Sequence, residues 1–312
     1  MTPEDAAGCL SLDSAEVAAL PLIDPGAVDW PRVTRTAYLI HQAFHYDYPG
    51  PIADLEHRLL LIPPAVHGDQ RLVAHRLEVG CASPHTVSSD SDGFGNVVVE
   101  VRVPRVQSTV RFEAWSVVER AAAAVPHRVA AAALADPRYV RPSALTLPDA
   151  ALRDAARLHR ELPLHGLDLA LELNRAVHAV MRYEKGVTGV STTASEAFAM
   201  RAGVCQDFAH VMLALCRMCR LPARYVSGHM LGEGGTHAWV EVLIPVDEGS
   251  AAEVHALDPT HGVPVGSRHI TVAVGRDYRD VAPTSGTYSR GPSGRLSSRK
   301  RVEVTRLEYD SA

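Results

Sequence analysis

VSTTASEAFAMRAGVCQDFAHVMLALCRMCRLPARYVSGHM, residues 190–230, decides how the rest of the chain is read. Its centre reads as a helix from about Cys205 to Arg220, bounded by Gly203 and Pro222. Gly203 sits just outside that helix and so places Cys205 in its first turn. Pro222 closes it, because proline brings no N–H to the helical ladder. Strand-like runs follow at once: ARYVSGHML (223–231), THAWVEVLIPV (236–246), EVHALDPT (253–260) and HITVAV (269–274). RVEVTRLEY (301–309) is expected to complete the same antiparallel sheet. Upstream, Pro148 fits the first turn of a helix to about Arg160. Another helix, from about Leu167 to Arg182, repeats apolar residues at Leu169, Leu173, Ala176, Val177 and Val180. Helices followed by a sheet predict an α+β domain over residues 148–312.

Residues 32–118 read differently. HRLLLI (57–62), RLVAHRLEV (71–79), NVVVEVRV (96–103) and STVRFEAWSVV (108–118) are short alternating runs, separated by turn-rich text such as SSDSDGFGN (88–96). That spacing predicts a β-sandwich-like N-terminal domain. It offers no paired reactive side chains and reads as a structural or substrate-positioning module. Residues 1–31 form an irregular lead-in with one short helix near Ser14 to Leu20. Residues 119–147 form a linker, ambiguous around Pro126.

Composition narrows the function classes. The 312 residues are 46% hydrophobic, enough to bury a core without covalent staples. The net charge of -5 gives no long-range attraction to nucleic acid or to anionic lipid. The basic run RLSSRKR (295–301) reads as a solvated loop. Five sparse cysteines (Cys9, Cys81, Cys205, Cys216, Cys219) do not make a disulfide framework and suit a reducing compartment. With no leader pattern and no apolar run near membrane-span length, the expected location is the cytoplasm.

Three positions carry the chemistry. A thiolate is a strong nucleophile toward an amide carbonyl, but a free cysteine, with a pKa of about 8.5, is mostly thiol at neutral pH. A helix N-terminus, an adjacent imidazolium and a group that orients the imidazole each lower that pKa. Cys205 in AGVCQDFAH has the helix start, whose unpaired N–H groups favour negative charge. His237 in GGTHAWVEV follows a glycine-rich turn and opens a strand. Asp258 in ALDPT ends the next strand, stopped by Pro259. A hairpin between those strands would set His237 beside Asp258.

The same stretches resemble the transglutaminase-like superfamily, in particular bacterial members with a β-rich N-terminal domain. The matching text is 190–230, then THAWVEV (236–242), LDPTHG (257–262) and HITVAVGRDYRDVAP (269–283). YDYPGPIADLEHRLLLIPP (46–64) and DGFGN (92–96) resemble that family's N-terminal module. The resemblance implies a papain-like core, with Cys205 as nucleophile, His237 as general base and Asp258 as orienting acid. It implies cleavage or exchange of peptide or carboxamide bonds through a thioester, with no metal or other cofactor. The chain departs from the family pattern at Arg220, usually glycine, at His229 in SGHM, and in the acidic segment VDEGSAAEVH (246–255).

Supporting candidates follow. Gln206 and Asp207 flank the nucleophile, and Asp207 is expected to brace the helix start or shape the cleft. Trp239 shares a strand face with His237 and either walls the cleft or packs in the core. Arg276, Asp277 and Tyr278 form a turn or touch substrate, with Thr236 and Thr260 as minor candidates of the same kind. Cys216 and Cys219 lack a second ligand pair for zinc and read as core packing. The expected partners are a peptide, protein or small amide substrate and, for transfer, an amine acceptor. Hydrolysis is favoured over cross-linking, because water needs no site. A non-catalytic peptide-binding module is the rival from another class. A metal hydrolase has no H-E-x-x-H to stand on.

Overall fold

A computed structural model describes residues 10–121 and 127–310. Cys9, Pro126 and the first part of the lead-in lie outside the described residues. The short helix expected near Ser14 is Ser14–Ala19. A reciprocal cap starts it: the Glu16 N–H donates to Asp13 Oδ1 at 2.7 Å, and the Asp13 N–H donates to Glu16 Oε2 at 2.8 Å.

The N-terminal region is two sheets around one core. Strands Val33–Asp47, Gln70–Gly80 and Thr109–Ala121 form the heart of one sheet. Ile52–Leu59, Val97–Val106 and Thr86–Ser91 form the other. Alternate residues point inward, as period-two patterning requires. Tyr38, Ile40, Phe44, Leu55, Val101 and Phe112, drawn from both sheets, meet in a single buried cluster.

Both sheets recruit a strand from the far end of the chain, and this corrects the sequence expectation. Arg295–Tyr309 pairs antiparallel with Val33–Asp47, from Arg295 opposite Asp47 to Tyr309 opposite Val33. Residues 301–309 therefore complete the first sheet, not the second. The basic run 295–301, expected as a loop, is the start of this strand. Thr284–Thr287 likewise pairs with Ile52–Leu59. The expectation failed because alternation shows which face of a strand is buried but not which strand lies beside it. Arg295–Tyr309 is a charged edge strand, suited to closing a sheet rather than inviting further pairing. Its buried Val304 joins the sandwich core.

The second region is an antiparallel sheet with helices against it. Its order is Val263–Pro264, Ala251–Asp258, His237–Val246, Ala223–Met230, His269–Gly275. From the segment read as a linker, Arg128–Ala130 adds to the sheet beside Ala251–Glu253. Helix Cys205–Met218 is buried on nearly every side. Its apolar residues pack with Ala238, Val240 and Val242 of the sheet and with helices Ala150–Arg160, Gly166–Val180 and Ala194–Met200. The last of these was missed in the sequence. It is short and begins with a Thr193–Glu196 reciprocal cap. Cys216 and Cys219 lie in this core, and burial pushes both thiols up.

The two regions are joined by side chains that imitate a neighbouring strand. His269–Gly275 ends the second sheet, so its outer backbone groups need partners. Gln70 donates to Thr271 O and accepts from Thr271 N–H, both at 2.8 Å. Asn96 does the same for Val274, again at 2.8 Å in each direction. Glu241 of the second sheet is buried, and its carboxylate lies 2.7 Å from His67 Nε2 and 2.6 Å from Arg224 Nε. Replacing Asn96 or Gln70 by alanine removes the partner of one N–H and one C=O at this junction. Each variant is expected to lose about 1–3 kcal/mol. Urea unfolding of each single variant against wild type measures this.

Candidate active site

Cys205 is the first residue of its helix, with Val204 as the N-cap. The helix start is fixed by Asp207, whose Oδ2 accepts from the Val204 N–H and from the Thr188 hydroxyl, each at 2.7 Å. Asp207 is fully buried, and burial pushes its carboxyl up despite these donors. Gly203 is required here, because a Cβ at that position would run into the Asp207 side chain. The Cys205 thiol is half-buried, with its sulfur 3.9 Å from the carbonyl of Thr236.

Thr236 immediately precedes His237, the first residue of its strand. Register brings the imidazole to the aspartate. Val240 pairs with Leu257, which sets Asp258 level with Trp239 and diagonal to His237. His237 Nε2 lies 2.8 Å from Asp258 Oδ2. Burial by itself would push the imidazole down. Asp258, the Cys205 thiol and Glu233 outweigh it and hold the pKa of His237 well above its ordinary range.

Asp258 is the meeting point of more groups than the sequence reading named. Its Oδ1 accepts from the backbone N–H of Thr260 at 2.9 Å and of His261 at 3.3 Å. Its Oδ2 faces His237, His261 Nδ1 at 2.7 Å and His269 Nε2 at 3.1 Å. Burial works against the carboxylate, but these imidazoles hold its pKa well below the usual range. His269 is pushed down, chiefly by burial, and is neutral. Its Nδ1 accepts from the Gly266 N–H at 3.4 Å, leaving Nε2 to carry the proton toward Asp258.

The remaining candidates divide. Thr236 borders the thiol, Thr260 braces Asp258 through its backbone, and Gln206 is buried with its amide 3.4 Å from Gly189 O. Trp239 is core rather than cleft wall: it is 1% exposed and packs with Val226 and Val274 beneath the imidazoles. The close approach of its indole requires Gly228, where a Cβ would lie 2.5 Å from the ring. Arg276 and Asp277 make local structural contacts. Arg276 pairs with Asp280 at 2.8 Å, and Asp277 caps the helix Tyr278–Val281. Tyr278 is closer, since Cys205 contributes to the upward push that burial gives its phenol.

His261, His269, Glu233 and Lys300 were not assigned roles from the sequence. Glu233 Oε2 lies 3.2 Å from His237 Nδ1. For His261 a signal existed in its spacing, three residues after Asp258 across a turn. The others come from separate strands and turns. Two groups among the described residues have ligand-like proximity for a metal: His237, Asp258 and His261, and His67, His127 and Glu241. In the second, the Glu241 carboxylate is already engaged by His67 and Arg224.

Residues 156–250 match the transglutaminase-like superfamily, and residues 38–119 match the bacterial transglutaminase-like N-terminal region. Uncharacterized proteins of Mycobacterium tuberculosis and Mycobacterium bovis are 33% identical over 242 residues, covering 70% of this chain and 76% of theirs. The chain belongs to the transglutaminase-like superfamily. Within it, a Mycobacterium leprae protein is 37% identical over 143 residues, covering 43% of this chain and 48% of that one. A crystal structure from Cytophaga hutchinsonii, provisionally named a cysteine protease, superposes with a TM-score of 0.71 at 21% identity. It covers 89% of this chain and 94% of its own, a likeness of fold. Among the described residues, no helix of this transglutaminase-like chain is long and apolar enough to cross a membrane.

The raised pKa of His237 has a consequence for stability. The folded protein holds this proton more tightly than the unfolded chain does. The contribution is therefore complete below the ordinary imidazole value of about 6.5 and is lost as pH rises through the raised folded value. The stability gap between wild type and His237→Gln is expected to be widest at mildly acidic pH and to narrow as the solution becomes alkaline. Denaturant titrations at a series of pH values measure this gap.

Proposed function

We propose that this transglutaminase-like chain is a cysteine enzyme that cleaves peptide or carboxamide bonds through a thioester, on a papain-like arrangement of helix and sheet. The observation that carries the reading is the placement of His237. Its Nε2 is committed to a buried carboxylate at 2.8 Å, and the Cys205 thiol at a helix N-terminus and the Glu233 carboxylate at 3.2 Å both support its charged form. In the reactive pair the Cys205 proton already resides on His237, and the thiolate attacks the substrate carbonyl carbon. Asp258 holds the imidazole in orientation and stabilises its charged form. Asp207 and Phe208 N–H groups both donate to Val204 O, which leaves those of Cys205 and Gln206 to receive the oxyanion. His237 then protonates the leaving amine as the C–N bond breaks, and water attacks the thioester to regenerate the thiol.

Hydrolysis is preferred to transfer because water reaches the half-buried thiol without a dedicated amine site. Protein–glutamine cross-linking is the alternative within the same chemistry, with an amine replacing water in the last step. A non-catalytic peptide-binding module is the rival outside it. The described cysteines are free thiols, in keeping with action in the cytoplasm.

The test needs no substrate. The rate of iodoacetamide modification at Cys205, followed by peptide mass spectrometry against pH, reads the thiolate population. In wild type it is expected to plateau well below the free thiol value of about 8.5. His237→Ala is expected to move the curve toward that value. Cys81, Cys216 and Cys219 serve as internal controls. An ordinary Cys205 curve, indifferent to His237, would put the binding-module reading first.

A further inference from the structure

Lys300 belongs to the strand that returns to the N-terminal sandwich, where it pairs with Gln42. Its side chain leaves that sheet and ends at the active site. Nζ lies 3.4 Å from Thr236 Oγ1, on the residue whose carbonyl is 3.9 Å from the Cys205 sulfur. The Phe44 ring lies 5.2 Å from the same nitrogen. Burial pushes the ammonium pKa down, and Cys205 is the ionisable neighbour that acts against that shift. The His229 ring is fully buried and pushed down to about 4 by burial and by Lys300, and an imidazole, neutral or cationic, supplies no anion. The next residue on the strand, Arg301, is exposed and paired with Glu303 at 3.4 Å. Lys300 alone of this basic run points inward, and among the described residues no carboxylate pairs with it.

A desolvated ammonium held by one long hydroxyl contact and an aromatic face is poorly compensated. A carboxylate entering beside it would restore the lost solvation, in surroundings where charges act more strongly than in water. We infer that Lys300 and the Thr236 hydroxyl form an anion subsite beside Cys205, which selects amide substrates bearing a carboxylate near the scissile bond. The inference rests on the cysteine-enzyme reading above and adds the substrate class. Glu233 does not fill the subsite. Its carboxylate is turned to His237 Nδ1 at 3.2 Å and to His261 Nε2 at 3.5 Å.

Two alkylating reagents test it on the full chain. Iodoacetate and iodoacetamide displace iodide with the same Cys205 thiolate, so the ratio of their rates cancels the thiolate population. What remains is the attraction of the site for a carboxylate. The iodoacetate-to-iodoacetamide ratio at Cys205 is expected to fall about fivefold in Lys300→Met, a size set by one nearby charge in a partly buried site. Lys300→Arg is expected to keep most of the wild-type ratio. Lys300→Gln, closer to lysine in polarity, repeats the loss should the methionine variant fold poorly. The Cys81 ratio controls for general charge effects. A ratio unchanged in Lys300→Met and Lys300→Gln would overturn the subsite, as would a fall in both rates by the same factor. Neither result depends on the cysteine-enzyme reading, which fails separately if the iodoacetamide rate ignores His237.

Discussion

A carboxylate with almost no access to water has to be compensated by its surroundings, and Asp258 is that group. Two backbone N–H groups of its own turn cover one oxygen, and three imidazoles converge on the other. A single carboxylate can neutralise one imidazolium. His237 takes that share because Glu233 and the Cys205 thiol also support its charge, while His269 stays neutral under burial. The charge is thereby directed to the one ring that faces the thiol. Trp239 beneath these rings, and the bare Gly228 that admits its indole, shape the space in which they meet.

The N-terminal sandwich takes part in this arrangement without supplying the proposed nucleophile, base or acid. Arg120, paired with Asp69 at 2.7 Å, also donates to the carbonyl of His269. The Tyr38 hydroxyl donates to Ser267 O at 2.8 Å. Gln70 and Asn96 hold the strand that His269 begins. The position of one imidazole on Asp258 is thus set by side chains from some 150 to 230 residues earlier in the chain. The return of the last strand to the sandwich has the same effect from the other side, since it carries Lys300 to Thr236. A module with no reactive pair of its own shapes the cleft by fixing what lies around it.

Much of the fold and the core of the site could be read from sequence, because the signals were local. A glycine before a helix marks a first turn, and Cys205 is found there. A glycine-rich turn opening a strand carries His237, and a proline closing the next strand follows Asp258. Other readings failed where they required knowledge of a partner. The last strand was placed in the wrong sheet, although its β character was clear. The basic run at its start reads as a loop, because charge on an edge strand and charge on a loop look alike in one dimension. The sequence does not decide between cleft and core for Trp239, since period two assigns a face but not what lies beyond it.

The sequence by itself determined the α+β order of the second region, the β character of the first, the helix start at Cys205 and the strand positions of His237 and Asp258. Each follows from backbone preferences acting over a few residues. Tertiary structure alone decided that His261 and His269 share Asp258 with His237, that Glu233 turns to the imidazole, and that Lys300 reaches Thr236. Those contacts depend on strand register and on which sheet a strand joins. Both are set by the burial of whole faces, a property of the assembled core that no short stretch of chain contains.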